Sequence, residues 1–199
     1  MNEPITVIFF GFSGSGKGTQ AQLLQQHLEM QGRKVFYIET GQRFRDFLAR
    51  KNYSSTLTEE VIKVGGLLPP FLPIWIWAGI FIDTLTGSED VIMDGLSRRP
   101  EEAPILDSAL KFYKRPTPHV LFLDVSADWA RARLVGRGRY DDTEDNISRR
   151  HAWFVSEVQP VLDFFKKTPG YHFHTINGEQ PVVAVQADIC KAIGLDGTH

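Results

Sequence analysis

Apolar residues recur along this chain in two registers. Short continuous runs rich in Val, Ile and Phe stand at Ile5 to Phe10, Lys34 to Ile38, Val91 to Met93, His119 to Asp124 and Tyr171 to Ile176, and each predicts a strand. Between them the apolar spacing changes to three and four. That predicts helices over Lys17 to Gln31, Gln42 to Arg50, Thr58 to Val64, Phe71 to Leu85, Glu101 to Tyr113, Asp128 to Gly136, Thr143 to Lys166 and Val182 to Ile193. Short apolar runs separated by long helices need crossover connections, so the pattern predicts an α/β fold. Its core is a five-stranded, mostly parallel sheet covered by helices on both faces, with any ligand at the carboxyl ends of the strands. The two helices between Gln42 and Gly65 read as an excursion from that sheet, inside one domain spanning 1–199.

Composition narrows the function classes. With 199 residues, 42% hydrophobic and 23% charged, the chain has enough apolar mass for one core, and disorder is excluded. Lys and Arg total 22 against 24 Asp and Glu, a net charge of -2, which argues against a nucleic-acid binder steered by a bulk positive field. Any anion site must therefore be local. The one cysteine, Cys190, leaves no internal disulfide and fits a reducing, cytoplasmic setting. It sits in the apolar pattern of the last helix and reads as a small core residue. Met1 to Pro4 lacks a basic leader segment, and the richest apolar stretch, Phe71 to Ile82, is interrupted by Pro73 and stopped by Asp83. It falls short of the roughly 20 residues that span a bilayer, so no membrane association is expected.

Directly after the first strand run comes Gly11-Phe12-Ser13-Gly14-Ser15-Gly16-Lys17-Gly18-Thr19, followed by the start of a helix. Glycines at 11, 14 and 16 let backbone N–H groups turn inward around phosphate oxygens, the helix start offers its positive end, and Lys17 places a charge near the terminal phosphates. A glycine-rich turn without a ligand would not call for that lysine. The common phosphate-loop pattern has Ser or Thr directly after the lysine. Here Gly18 intervenes before Thr19, which puts the usual magnesium hydroxyl in question.

Gly16-Lys17-Gly18-Thr19-Gln20 resembles the adenylate kinase and nucleoside monophosphate kinase family, in which a glycine after the lysine is usual. Further matches follow in order: Thr40-Gly41-Gln42-Arg43-Phe44-Arg45 resembles T-G-D-x-x-R, Gly66-Leu67-Leu68-Pro69 resembles G-x-L-V-P, and Asp94-Gly95-Leu96-Ser97-Arg98 resembles D-G-F-P-R. Downstream, Arg133 and Arg137 resemble an R-x-x-x-R pair, Gly138-Arg139-Tyr140-Asp141-Asp142 resembles G-R-x-D-D, and Arg150 falls where the family carries a helix arginine. The resemblance covers almost the whole chain. It implies a P-loop kinase fold with a small helical acceptor-binding excursion at 40–69.

The arginine distribution agrees with that resemblance. Of thirteen arginines, Arg131, Arg133, Arg137, Arg139, Arg149 and Arg150 fall within twenty residues. Phosphoryl transfer needs positioning and electrostatic stabilisation, and the planar arginine fork supplies both. A solvated, acid-laced helix face is the plainer reading, and it weighs most for Arg131 and Arg149.

The resemblance further implies that Lys17 bridges donor and acceptor phosphates, that Arg45 and Arg98 hold the acceptor phosphate, that Arg137, Arg139 and Arg150 neutralise the transferring group, and that Arg133 stacks on the donor base. It also places Gly11, Gly14, Ser15, Gly16, Gly18, Thr19 and Gly178 around ATP, and Thr40, Gly41, Leu68, Gly95 and Glu102 around the acceptor. Mg2+ would be held mainly by phosphates and water. Asp94, ending the strand Val91 to Met93, can fix a magnesium-bound water or pair with Lys17. A turn acid is its plainer reading, and Asp124 reads as structural.

Two departures bear on substrate and mechanism. Family members acting on AMP carry a glutamine four residues after the arginine of D-G-F-P-R, whereas this chain has Glu102. A carboxylate only accepts hydrogen bonds, which suits the guanine edge better than adenine. Against that, Thr40 matches the threonine that accompanies AMP selection, and an acid in the first turn of a helix is favoured by the helix dipole alone. AMP stays the first acceptor expected, with GMP, dAMP or a pyrimidine monophosphate as alternatives, and a nucleotide-binding regulatory module as the reading from another class. The second departure is the lid: only Gly138 separates Arg137 from Arg139, so the lid is reduced to 137–142. Such an enzyme is expected either to leak toward ATP hydrolysis or to cover its site by another element, oligomerisation being one candidate. Monomer and oligomer are both left open.

Two smaller features remain. Trp75 and Trp77, two apart, cannot share one helical face; core packing of both is expected, with exposure of one as the alternative. His172 and His174 alternate on one strand face as a metal pair would, but no third ligand stands near them in sequence.

Overall fold

Five strands form where the apolar runs lie: β1 (Thr6–Gly11), β2 (Val35–Glu39), β3 (Asp90–Asp94), β4 (His119–Asp124) and β5 (His172–Asn177). All pair in parallel in the order β2-β3-β1-β4-β5. β1 is apolar at every position from Val7 to Phe10 because it is the central strand, covered on both faces, and the four side chains are at most 3% exposed. The computed structural model describes residues 3–63, 68–115, 117–137 and 143–195, with the backbone alone for Glu39, Gly41, Gln42 and Arg137.

The described helices are α1 (Lys17–Met30), α2 (Thr40–Leu48), α3 (Tyr53–Lys63), α4 (Phe71–Thr84), α5 (Glu102–Phe112), α6 (Ala127–Arg137), α7 (Glu144–Trp153), α8 (Gln159–Lys167) and α9 (Val182–Ala192). Among the described residues, no helix is long and apolar enough to cross a membrane. One face of the sheet packs Ile8, Phe10, Met93 and Val120 against Trp77 and Phe81 of α4, Leu106 of α5 and Phe165 of α8. The other packs Val7, Phe9, Ile92 and Leu121 against Leu24 and Leu28 of α1 and Ile189 of α9. α2 and α3 stand between β2 and α4, where the sequence places an excursion.

The single helix expected over Thr143 to Lys166 is broken by a π-helical turn, Phe154–Val158. Pro160, in the first turn of α8, has no N–H and its ring would crowd the carbonyl four residues back. Widening the preceding turn removes that conflict.

At the lower end of the sheet Asp90, 2% exposed, accepts two hydrogen bonds of 2.6 Å from the Arg33 guanidinium and one of 2.8 Å from the Ile5 N–H. This bidentate pair pins the start of β3 to the α1–β2 connection. Beside it, burial would raise the Glu89 carboxyl. Hydrogen bonds from the Thr86 hydroxyl and from the Gly87 and Thr86 N–H groups outweigh that and hold it at about 2, and Arg115 lies 3.4 Å away.

Strand register also assembles what sequence spacing hid. His119 of β4 pairs with His172 of β5, and its Nδ1 lies 3.2 Å from Nε2 of His174, with rings 5.4 Å apart and 19° from parallel. One of the two nitrogens donates to the other, and the tautomer of each ring sets which. Among the described residues no three His, Cys, Asp or Glu converge to hold a metal. Burial first, then His174 and His172, hold the His119 imidazole down at about 4.

Both groups therefore favour unfolding in acid. A histidine kept neutral in the fold loses its stabilising effect as pH falls from about 6.5 to its folded value of about 4, and a carboxylate held near 2 loses its effect from about 4.5 downward. Melting temperature is expected to fall in both windows. His119→Asn should flatten the slope between pH 6.5 and 4 and leave the lower window unchanged. An unaltered slope would remove His119 from this account.

Candidate active site

The glycine-rich turn leaves the carboxyl end of β1 and enters α1. Gly14 and Gly16 have φ of +89° and +94°, conformations that glycine adopts without strain. A Cβ on Gly14 would also meet the Ala130 carbonyl oxygen at 2.5 Å, so the loop lies hard against α6. Gly16 is the N-cap of α1 and no side chain caps it, so the first-turn N–H groups are left as donors for an anion. The turn is held by the Ser15 N–H donating to the Phe12 carbonyl at 3.0 Å. The Ser15 hydroxyl is buried and has no hydrogen-bond partner. Lys17 Nζ donates to the carbonyls of Gly11 and Phe12, both at 2.8 Å, which folds the ammonium over the cradle.

Gly18 has a structural reason as well. A Cβ there would sit 3.2 Å from Oδ2 of Asp94, so the glycine after Lys17 lets the end of β3 approach the first turn of α1. Asp94 accepts a hydrogen bond of 3.2 Å from the Tyr37 hydroxyl on β2. Thr19, exposed, stands on that same turn. Gly95 follows with φ +74°, and Arg98 folds back so that its Nε donates to the Gly95 carbonyl at 2.8 Å. A side chain at Gly95 would collide with that guanidinium.

On the far side of the cradle a narrow niche opens between Gly16, Thr19, Trp129, Arg133, Gly178 and Val182. The Arg133 guanidinium lies 3.9 Å over the Trp129 ring, one turn apart on α6. One guanidinium face is thus covered by indole and the other is available to a flat ring. Gly178 tucks against Val125 and donates its N–H to the Asp124 carbonyl at 2.9 Å.

Glu102 starts α5 and is 2% exposed. Its Oε2 accepts a hydrogen bond of 3.3 Å from the Trp77 indole N–H. Burial raises its carboxyl above the usual range, opposed by that hydrogen bond and by the charges of Arg98 and Arg99. The expectation that both tryptophans pack in the core fails for one of them. Trp77 is 1% exposed, but Trp75 is 48% exposed, set edge-on to Phe47 at 5.5 Å with Arg50 over its ring. Two residues apart on a straight helix, they face in different directions.

Other expected residues are placed less fully. Thr40 begins α2 directly after β2, Gly41 follows it, and Arg45 lies one turn further on. The Leu68 carbonyl accepts a 2.5 Å hydrogen bond from Arg99, which ties the end of the excursion to the segment bearing Arg98. Arg150 lies on α7 and Arg137 ends α6. Gly66, Gly138, Arg139, Asp141 and Asp142 lie outside the described residues. Arg131 pairs with Glu144 on the exposed surface at 2.5 Å, in keeping with its solvated reading. Sequence reasoning missed Tyr37, Arg99 and Trp129, none of which stands in a motif; only the four-residue step from Trp129 to Arg133 could have signalled one of them.

Known proteins resemble this chain along most of its length. The profile of a family described as adenylate kinase matches residues 9–169. An adenylate kinase of Bacteroides thetaiotaomicron is 32% identical over 193 residues, covering 95% of this chain and 98% of that protein. Adenylate kinase 1 of a Nostoc species is 30% identical over 188 residues, covering 94% and 98%. An adenylate kinase of Mycolicibacterium vanbaalenii is 31% identical over 192 residues, covering 94% and 98%. With its central glycine-rich cradle, its all-parallel sheet and these relatives along almost its whole length, the chain belongs to the adenylate kinase family.

Proposed function

We propose that this protein transfers the γ-phosphoryl group of ATP to the α-phosphate of AMP, giving two ADP. The observation that carries this reading is the gathering of the cradle, Lys17, Asp94 and Arg98 at one end of the sheet, with the Arg133 niche beside them. Phosphates lie along the N–H groups at the start of α1, and the donor base stacks on the open face of Arg133 at the mouth of the niche. Lys17 swings from its two carbonyls to bridge donor and acceptor phosphates, while Arg45 and Arg98 hold the acceptor. Arg137, Arg139 and Arg150 meet the charge that spreads over the equatorial oxygens. The excursion at 40–69 receives the acceptor, and 137–142 serves as the reduced lid. A cytoplasmic setting accords with the single cysteine.

The residues also fit magnesium held mainly by phosphates and water, since the Asp94 carboxylate beside the first turn of α1 is a hard oxygen group that would hold a magnesium-bound water, and Thr19 on that turn offers a second oxygen. The chemistry such an ion would supply there is stabilisation of the negative charge on the transferring phosphates. The test of the function is a coupled assay for ADP with ATP and a panel of monophosphates, beside a control without acceptor. Turnover confined to AMP supports the reading. An absence of acceptor-dependent turnover would overturn it.

Glu102 favours keeping GMP as a second acceptor. Ionised, it accepts from two guanine donors; protonated, it donates to adenine N1 and accepts from the adenine amino group, as a glutamine amide does. Burial raises its carboxyl, while the Trp77 hydrogen bond and the Arg98 and Arg99 charges favour the carboxylate that guanine needs. Glu102→Gln is expected to raise the AMP over GMP ratio of kcat/KM by roughly tenfold, the scale of one hydrogen bond gained against one lost. An unchanged ratio assigns Glu102 to the Trp77 hydrogen bond alone.

A further inference from the structure

Phe12 is the second residue of the glycine-rich turn, where a large ring has no part in holding phosphate. Its ring centroid lies 4.2 Å from that of Phe154 and 4.8 Å from that of His151, a wedge between two residues three apart on one helical face. Its carbonyl accepts both the Ser15 N–H that closes the turn and the Lys17 ammonium. Lys17 is thus two contacts from α7, and on α7 the residue before His151 is Arg150. The imidazole Nε2 is buried without a hydrogen-bond partner, so the ring acts as a packing plane. Burial, then Arg131, lower its pKa against the pull of Asp128, which keeps it neutral in neutral solution. Phe154 also opens the π-helical turn, which ties this packing to the irregular part of the helix.

We propose that Phe12, His151 and Phe154 form a clamp that sets the spacing between Lys17 and Arg150, which makes Phe12 and His151 positioning residues for phosphoryl transfer. The proposal rests on the phosphoryl-transfer reading above. The two cations come from elements far apart in sequence, β1–α1 and α7, and the packing of Phe12 on His151 and Phe154 is a direct contact between those elements. A displacement of about 1 Å in such a site costs up to roughly a hundredfold in rate. Aromatic packing is the means by which α7 holds the loop in register.

The test is a double-mutant cycle on the full chain. His151→Ala and Phe12→Ala are each expected to lower kcat by roughly 30-fold with KM for ATP within about threefold, and the double variant to lose no more than either single one. His151→Phe, which keeps a flat ring, should return kcat to within about threefold of the parent. Should Phe12→Ala fail to fold, Phe12→Leu replaces it in the cycle. Losses that multiply in the double variant, a fall carried by KM alone, or a His151→Phe variant as slow as His151→Ala would each overturn the clamp. Hydrogen exchange of residues 11–17 separates the clamp from the reaction. Faster exchange in His151→Ala supports the clamp even if the parent shows no acceptor-dependent turnover, and unchanged exchange overturns it even if the parent is a fully active kinase.

Discussion

Lys17→Met is expected to reduce phosphoryl transfer by about a thousandfold or more, equivalent to about 4 kcal/mol of transition-state stabilisation. The melting temperature should stay within a few degrees of the parent. Methionine keeps most of the lysine stem and removes only the ammonium. The carbonyls of Gly11 and Phe12 that Nζ contacts at 2.8 Å are only partly buried, so water can replace that donor and the fold loses little. What cannot be replaced is a positive charge held by a short stem beside the phosphate path, ready to follow charge as it moves from donor to acceptor. Steady-state kinetics with a thermal melt on the same preparation checks both halves. Near-parental kcat would mean that the cradle is not where transfer occurs, and a collapsed melt would mean that Lys17 is chiefly structural.

Gly14→Ala is expected to be nearly as damaging by a different route, and Gly16→Ala supplies its control. Both positions have φ near +90°, so both substitutions carry about 1–2 kcal/mol of backbone strain. Only at Gly14 does the new methyl meet an immovable neighbour, the Ala130 carbonyl oxygen, with Leu134 close behind; at Gly16 nothing lies within 4 Å. The loop must therefore move away from α6, and the donor niche on that helix moves relative to the phosphates. ATP binding by titration calorimetry is expected to weaken by tens-fold or more in Gly14→Ala, and by only a few-fold in Gly16→Ala. Equal effects would show that strain alone matters and that contact with α6 does not.

Much of this architecture is legible in the sequence because its signals are local. Central strands covered on both faces must be apolar throughout, so β1, β3 and β4 stand out as runs, and a phosphate cradle must be contiguous, so Gly11 to Thr19 declares itself. Residues brought together by register or by helix packing left no such trace. His119 stands 53 residues before His172 and joins it only because β4 and β5 pair in parallel. Glu102 stands out in the sequence as an acid where a glutamine is usual, but its partner, the Trp77 indole from another helix, is one that no spacing rule connects to it. Phe12 and His151 carry no sequence signal for the same reason, since each is unremarkable within its own element. The π-helical turn was hidden by a periodicity that averages over long windows, although Pro160 marked the place.

The unlike surroundings of the tryptophans make the protein its own optical instrument. Trp75 is half exposed and touches Phe47 of α2 and Arg50 just beyond its end, so any rotation of α2 against α4 alters its polarity and its emission. Trp129 lies beneath Arg133 at the donor niche, where a stacked purine would quench it through the guanidinium layer. Trp77, sealed in the core, meets the acceptor side only through its hydrogen bond to Glu102 and stays silent to the donor. Variants retaining one indole at a time would follow the filling of each half of the crevice separately, by fluorescence alone and with no added label.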